Sequence, residues 1–595
     1  MKYVLPWGIL LLLATGIYWP GLQGSFLFDD FANIVNNPAV HAAELTASSL
    51  SAALSGPEAG PLGRPVSILS FAATHAAFGL DPFAFKSINL IIHLANGLLV
   101  GWLAHLLLAA IPSVPRDGHF RWLPWWIAAL WLLHPINVMP VLMAVQRMTL
   151  LSGLFLLLAL LAHLKGIGDA RHRSVWLVAA WCLFWPLSVF SKETGLLFPL
   201  YALLATQLIR RDKALPILAA IATLGILAAA TLLYKLGWSW LDAGYAMRSF
   251  TLTERLLTEA RVLWFYLGQI VMPSHAGFAL YLDGIPISSG LLQPPRTALA
   301  VAAWALVLCL LPVLWRRWRI LCFGIAWFLA GHLLESTFLP LEIAHEHRNY
   351  LPAFGPVFAV GYLLATGLSR MRLDYPAVTA AMAAILMIGV PASMTWMRND
   401  QWSDTLRGHQ IEAIHHPGSA RANYYLAINL VQHGHGDAGD PFGAHLASFH
   451  FREAAMLDPM LKAAHIGLVV WACASGRPVE PEWIDQLADR LETRPYGPGD
   501  RELPGDLLKP MIAMPACLTR ADALRLFEAG SRNSRITQNL RANFLEAAAE
   551  YELLVSHDPP SALAYYRRAS QANPASARLK ERIRNLSPAD AAVAR

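Results

Sequence analysis

Charge is scarce in this chain. Asp, Glu, Lys and Arg make up 14% of its 595 residues, where a soluble domain carries roughly 25%. With 56% hydrophobic residues, that deficit excludes a wholly soluble protein and marks a polytopic membrane protein. Nucleotide signatures are missing too: there is no Walker loop and no GxGxxG following a strand, so neither ATP nor a dinucleotide is indicated. A serine-hydrolase elbow is also absent. Net charge +6 is small for this length and does not indicate nucleic-acid binding; most Lys and Arg mark loops. Cysteine is sparse, at five. Cys182, Cys309 and Cys322 fall in apolar runs, as packing residues do, whereas Cys473 and Cys517 lie in a polar tail and can pair if that tail faces an oxidising compartment. The N-terminal run lacks a small-residue cleavage site and ends in the interfacial Trp19-Pro20, so it reads as a retained span.

What is present is unevenly spread. Residues 1–397 are apolar with short polar breaks, 398–417 read as a linker, and 418–595 read as a helical polar domain. Apolar runs fall near 3–20, 87–111, 122–139, 141–164, 175–190, 194–209, 214–234, 297–315, 320–334, 351–368 and 376–397. Basic breaks separate alternate pairs: Arg116 and Arg121; Lys165, Arg171 and Arg173; Arg210, Arg211 and Lys213; Arg316, Arg317 and Arg319; Arg370 and Arg372. By the positive-inside rule these face the cytoplasm. The run 257–273 carries Glu259 and Arg261 and is read as an interfacial or re-entrant helix. The expectation is an all-α membrane protein of about eleven spans, N-terminus cytoplasmic and tail periplasmic, in a bacterial inner membrane.

Five polar motifs then fall on one outer face. Asp29 and Asp30 follow the first span, flanked by Phe26, Phe28 and Phe31; a carboxylate beside hydrocarbon is costly unless hydrated, paired or at work. Two close carboxylates repel, so one is expected to hold a raised pKa, leaving one as base for an acceptor hydroxyl while the other orients it or binds a cation, with a divalent metal possible. Arg64 follows a Gly/Pro-rich stretch and either anchors a headgroup or binds a phosphate. Arg147, beside Gln146 near the outer end of a span, is expected to snorkel to the interface, or to grip an anion if it faces a cavity. Lys192 and Glu193, in SKETG, either neutralise each other or offer a cation to a leaving phosphate. His345, Glu346, His347 and Arg348 form the densest cluster; the two histidines lack an obvious third metal ligand, and Arg348 is the clearest phosphate clamp. One acidic site ringed by cations suits transfer from a lipid-anchored phosphate ester.

With those residues in order, FLFDDFANIVNNP, GRPVSILSF, NLIIHLANGLLV, HPINVMPVLMAVQRMTLLSGLF, SKETGLLFP and EHRNYLP resemble the transmembrane-plus-TPR glycosyltransferases. This group comprises bacterial polytopic proteins and the eukaryotic TMTC protein O-mannosyltransferases, of the GT-C class. The resemblance covers residues 1 to about 400 and the general nature of the tail. It implies a GT-C-type helix bundle, a polyprenyl-phosphate-linked sugar donor, a catalytic acid at Asp29 or Asp30, and lipid-phosphate contacts at Lys192 and Arg348.

In the tail, 418–432 and 443–456 read as antiparallel amphipathic helices closed by Pro459, and the pattern returns at 538–556 and 561–573. Such pairs resemble TPR units, whose stacking makes a concave surface for a protein or glycan acceptor. Three functions stay open: transfer to a protein, transfer to a lipid-linked glycan such as O-antigen, or a non-enzymatic TPR scaffold. A scaffold has no need of the acidic pair and its cations.

Overall fold

The computed structural model describes residues 4–54, 60, 62–112, 114–115, 118–209, 239–370, 376–435 and 440–587. Arg116, the basic breaks at 210–213 and Arg372, the run 214–234 and part of the stretch before Arg64 lie outside the described residues. Among those described, the chain is helical, with one isolated bridge between Gly290 and Gln293 as its only β pairing. Two compact units emerge. The first comprises Met1–Trp238 and Leu252–Gly408, the second Ser239–Thr251 and His409–Arg595. Helix Pro376–Gln401 and helix Thr405–His415 run through much of 398–417.

In the first unit, five described helices are long and apolar enough to cross a membrane: Val4–Leu22, Pro82–Ala109, Ala144–Gly168, Arg173–Ser191 and Arg296–Leu314. Phe120–Leu132 and Pro135–Leu142 make a sixth if the pair, bent by 51°, is counted as one broken span. Pro135 and Pro140 lie at and just beyond the bend, where missing N–H groups interrupt the ladder. The runs 194–209, 320–334, 351–368 and 376–397 are helical as well. One of these helices, Pro82–Ala109, starts at a side-chain cap. Asp81 accepts from the Phe83 N–H with Pro82 in the first turn, a position where proline's missing donor costs nothing.

Burial sorts the helices into layers. Arg173–Ser191 and Arg296–Leu314 are each only 17% buried, whereas Ala144–Gly168 is 67% buried and sits in the middle of the bundle. Polar side chains lock that centre. Asn96 donates to Tyr350 Oη (2.9 Å) and to the Leu150 carbonyl (3.0 Å), and His93 meets the same hydroxyl at 2.9 Å. Between helices without water, small residues and such bonds supply the adhesion. Gly153, under the Tyr350 ring, is one of the small residues.

Helix Leu252–Val271 does not have a spanning composition. Arg255 and Glu259 are buried on one side of it, and the Arg255 guanidinium donates to the carbonyls of Glu335, Thr337 and Leu341. The helix thereby holds the segment 335–342 in place.

The second unit stacks helical hairpins. Ala420–Gln432 packs on Pro441–Leu457, and Gln538–Leu554 on Pro559–Ala572, with Ser419, Asp440, Thr537 and Asp558 as N-caps. This is the TPR-like pattern expected. Cys473 and Cys517 are joined in a disulfide, their Cα atoms 5.2 Å apart.

Candidate active site

The acidic pair is divided by the fold. Asp30 is fully buried; its carboxylate accepts from the backbone N–H of Leu27 (3.0 Å), Ala144 (3.2 Å) and Val145 (2.7 Å). It thus ties the loop after the first span to the start of the central helix. Burial raises its carboxyl to about 6, against the pull of those N–H groups and of the Lys86 ammonium. The raised value expected from repulsion inside the pair has burial as its cause instead. Asp29 is half-buried beside it. The residue before it, Phe28, sits at φ 44°, and Arg64 at φ 45°. Left-handed backbone at a bulky residue costs about 1–3 kcal/mol and collects at functional sites. The Phe28 ring meets Tyr281 edge-on at 5.5 Å, and the Ala279 N–H two residues earlier donates to Glu346 at 2.7 Å. One loop, 279–281, therefore touches both the Asp29 loop and the histidine cluster.

Arg64 does not stand alone. Its guanidinium grips Glu193 (Nη2–Oε2 2.7 Å, Nε–Oε2 3.0 Å) and approaches Met148 Sδ at 3.2 Å. The expected neutralisation of Lys192 by its neighbour Glu193 gives way to a crossed arrangement. Lys192 Nζ pairs with Glu335 Oε1 at 2.9 Å and donates to Thr149 Oγ1 at 3.2 Å. The turn that aims Lys192 depends on Gly195, where a Cβ would lie 2.5 Å from the Ser188 carbonyl carbon. Arg348 donates to the carbonyls of Ile343 (2.9 Å) and Glu342 (2.5 Å) and stands 3.7 Å from Glu259, which also pairs with Arg255 at 2.9 Å. By these pairings four cations, Arg64, Lys192, Arg255 and Arg348, share three carboxylates, Glu193, Glu259 and Glu335. The Glu342 carboxylate turns to His345 instead, at 3.0 Å.

A cavity of about 30 Å³ opens at this cluster, lined by Thr149, Lys192, Tyr201, Glu335, His347 and Arg348 among others. Burial would lift the Glu335 carboxyl, but the charges of Lys192, Arg348 and Arg64 hold it down at about 2. Burial and the Arg64 charge lower the Lys192 ammonium despite its pairing with Glu335. Several cations facing one carboxylate account for the direction at Glu335, and burial first for that at Lys192. His347 is driven well below its usual range, by burial first and then by Lys192, His345, Arg348 and Arg64. Its ring is neutral, and its Nδ1 is buried with no hydrogen-bond partner.

Two candidates leave the site. Arg147 was expected at the interface; it is fully buried instead, with Nε on Asn89 Oδ1, Nη1 on Thr74 and the Ser70 carbonyl, and Nη2 on the Phe85 carbonyl. Its guanidinium, stacked over Phe71 and Phe85, joins three helices. Snorkelling fails because these internal acceptors satisfy it where it stands. Glu346 is likewise occupied, by Arg398 (2.9 and 3.0 Å) and the Ala279 N–H. As for a divalent metal, no group of three or more His, Cys, Asp or Glu among the described residues is placed to hold one.

Sequence reasoning missed Glu335, Thr149, Tyr201 and Arg398. Glu335 was findable: it ends the apolar run 320–334, as Asp29 follows the first span. Its depressed pKa carries a testable sign. Because the folded state holds the ionised form, the contribution is complete above about pH 4.5 and is lost as pH falls toward 2. It amounts to about 3 kcal/mol. Thermal unfolding in detergent between pH 7 and 3 is expected to show a smaller acid-side loss in Glu335→Gln than in the wild type; equal slopes would remove the assigned role.

Fold and site together define a polytopic membrane protein with a cation-rich polar site beside the loop that follows its first span, together with a TPR-like helical unit. The chain is similar to protein O-mannosyl-transferases. It is 29% identical to Tmtc3 of Drosophila melanogaster over 147 residues, which is 22% of this chain and 16% of that protein. It is 28% identical to mouse TMTC1 over 192 residues, 30% of this chain and 19% of the relative. With human TMTC3 the identity is 24% over 190 residues, covering 31% and 20%. The matches thus span a fifth or less of each relative. No family model matches the chain, and no solved structure matches it significantly. The relatives agree with the resemblance that the ordered motifs carry.

Proposed function

We propose that this chain is a GT-C glycosyltransferase that moves a sugar from a polyprenyl-phosphate-linked donor to a hydroxyl of a periplasmic or exported protein. The observation that carries this reading is one cavity lined by two cations, Lys192 and Arg348, and a single described carboxylate, Glu335. Its wall residue Thr149 lies one helical turn beyond Val145, where Asp30 anchors the acidic loop. A surplus cation beside a buried cavity favours an anion such as a lipid phosphate. Asp29 takes the acceptor proton as the hydroxyl oxygen attacks the anomeric carbon, and the bond to the phosphate oxygen breaks with the electron pair leaving on phosphate. Lys192 and the neutral His347 stabilise that leaving charge. A single displacement inverts the anomeric centre. Asp30 holds the loop, and Arg64 and Arg348 brace the two segments that present Lys192 and His347.

The names of the relatives favour a protein acceptor over a lipid-linked glycan, and the helical hairpins of the second unit offer a surface to hold it. A pure scaffold leaves the buried charge cluster without a use. The test is transfer by the purified full-length protein in proteoliposomes, from polyprenyl-phosphate-mannose to periplasmic proteins, read by glycopeptide mass spectrometry. Label appearing only on lipid-linked glycan would replace the protein acceptor, and none at all would overturn the reading.

The Cys473–Cys517 pair supports a periplasmic tail, since such bonds persist in oxidising compartments. Alkylation of denatured, unreduced protein from cells is expected to label three of the five cysteines. Labelling of all five would place the tail in a reducing compartment.

A further inference from the structure

The second unit holds a groove of about 290 Å³ between the helices Leu503–Ala513 and Gln538–Leu554. It exists because small residues lie among long ones. Along Gln538–Leu554 the lining positions Asn543, Glu546, Ala547 and Glu550 fall at i, i+3, i+4 and i+7, which is one face of a helix. On the opposite wall Gly505 lies between Arg501 and Lys509. A Cβ added at Gly505 would meet nothing within 4 Å, so the space beside it is open. The start of that wall is fixed by Lys462, which donates to Asp500 at 3.1 Å and to the Pro495 carbonyl at 2.6 Å.

The two walls differ in charge. One presents the exposed side chains of Arg501 and Lys509, with Glu502 at its edge; the other presents Glu546 and Glu550. Each of those two acids spends one oxygen on an arginine, Glu546 Oε2 on Arg578 and Glu550 Oε1 on Arg582 at 3.5 Å. A carboxylate has two oxygens, so each keeps capacity for a second cation. Asn543 is exposed one turn before Glu546, and its amide can donate and accept at once.

We propose that this groove binds an extended peptide segment in which acidic and basic side chains alternate. Successive side chains of an extended strand point to opposite sides. A strand lying along the groove therefore turns its acids to Arg501 and Lys509 and its bases to Glu546 and Glu550, while Asn543 meets a peptide bond of its backbone. The face from Asn543 to Glu550 is about 10 Å long, room for about three extended residues. A uniformly charged segment satisfies one wall and is repelled by the other, which is how charge selects a partner. In its biological role the proposal rests on the reading above: the segment belongs to the acceptor protein.

The test is fluorescence anisotropy of end-blocked hexapeptides on the purified full-length protein in detergent, with no sugar donor. One peptide alternates lysine and glutamate; the other has three lysines followed by three glutamates. The alternating peptide is expected to bind about tenfold more tightly, and the difference to shrink as salt is added. Gly505→Trp grows into the open space and is expected to abolish binding at an unchanged unfolding temperature. Lys509→Glu is expected to lower the preference severalfold and Lys509→Arg to keep it. Equal affinity of the wild type for the two peptides, or a folded Gly505→Trp protein that binds as the wild type does, would overturn the proposal. A Lys509→Glu protein with the full preference would do the same, should Gly505→Trp fail to fold. Because no donor is present, failure here leaves the transfer reaction untouched, and failure of transfer leaves the groove's binding standing.

Discussion

Asp29→Asn is expected to abolish sugar transfer and leave the protein folded, while Asp30→Asn is expected to damage the fold itself. The two adjacent acids differ in what they touch. Asp30 accepts three backbone N–H bonds from Leu27, Ala144 and Val145. An amide there must turn an NH₂ toward at least one of those donors, which costs about 1–3 kcal/mol for the broken bond. It also leaves the buried Lys86 without its facing carboxylate. Asp29, half-buried in the loop after the first span, loses its basicity on conversion to Asn while nearly keeping its shape, and general-base catalysis contributes about 10²–10⁴ in rate. Turnover with saturating donor, measured beside the unfolding temperature, separates the two. Wild-type turnover in Asp29→Asn would move the base elsewhere. Equal destabilisation by both changes would undo the division between them.

The second large effect concerns Lys192. Its ammonium reaches the cavity between Glu335 and Thr149, where a departing phosphate gains most from a compact cation. Lys192→Met keeps the length of the stem and removes the charge, and kcat/KM for the donor is expected to fall by about 10²–10³. Glu335→Gln is the informative partner change. With the competing carboxylate gone, the phosphate has Lys192 to itself, and donor KM is expected to fall severalfold. Arg348→Lys is expected to lose activity by a different route. A lysine cannot donate to the carbonyls of Ile343 and Glu342 together, so the segment carrying His347 loosens. Donor kinetics at several pH values check all three. A Lys192→Met enzyme with unchanged donor kinetics would leave the cluster a purely structural network.

The motifs themselves were legible because each is local. An apolar stretch ending in FDD, a lysine in SKETG and a histidine run in EHRNYLP are all visible as breaks in hydrophobic sequence, and charge in such breaks is informative where hydrocarbon makes it expensive. Their partners were not legible. Glu193 pairs with Arg64 across 129 residues, and Lys192 with Glu335 rather than with the acid next to it. Arg147 looked interfacial from its place near the end of a span. It is buried because two neighbouring helices present Asn89, Thr74 and the carbonyls of Ser70 and Phe85.

By itself, then, the sequence determined the helical membrane class, the polar tail with its hairpins, and which short segments bear charge. Those properties follow from composition and periodicity, which need no knowledge of neighbours. Only the tertiary structure decided which carboxylate of the acidic pair is tied to the backbone, which cations share which acids, and which arginines have their donors spent. Burial and pairing are properties of segments brought together from far along the chain. In a low-dielectric interior they decide whether a charged side chain holds the fold together or is left to meet a substrate.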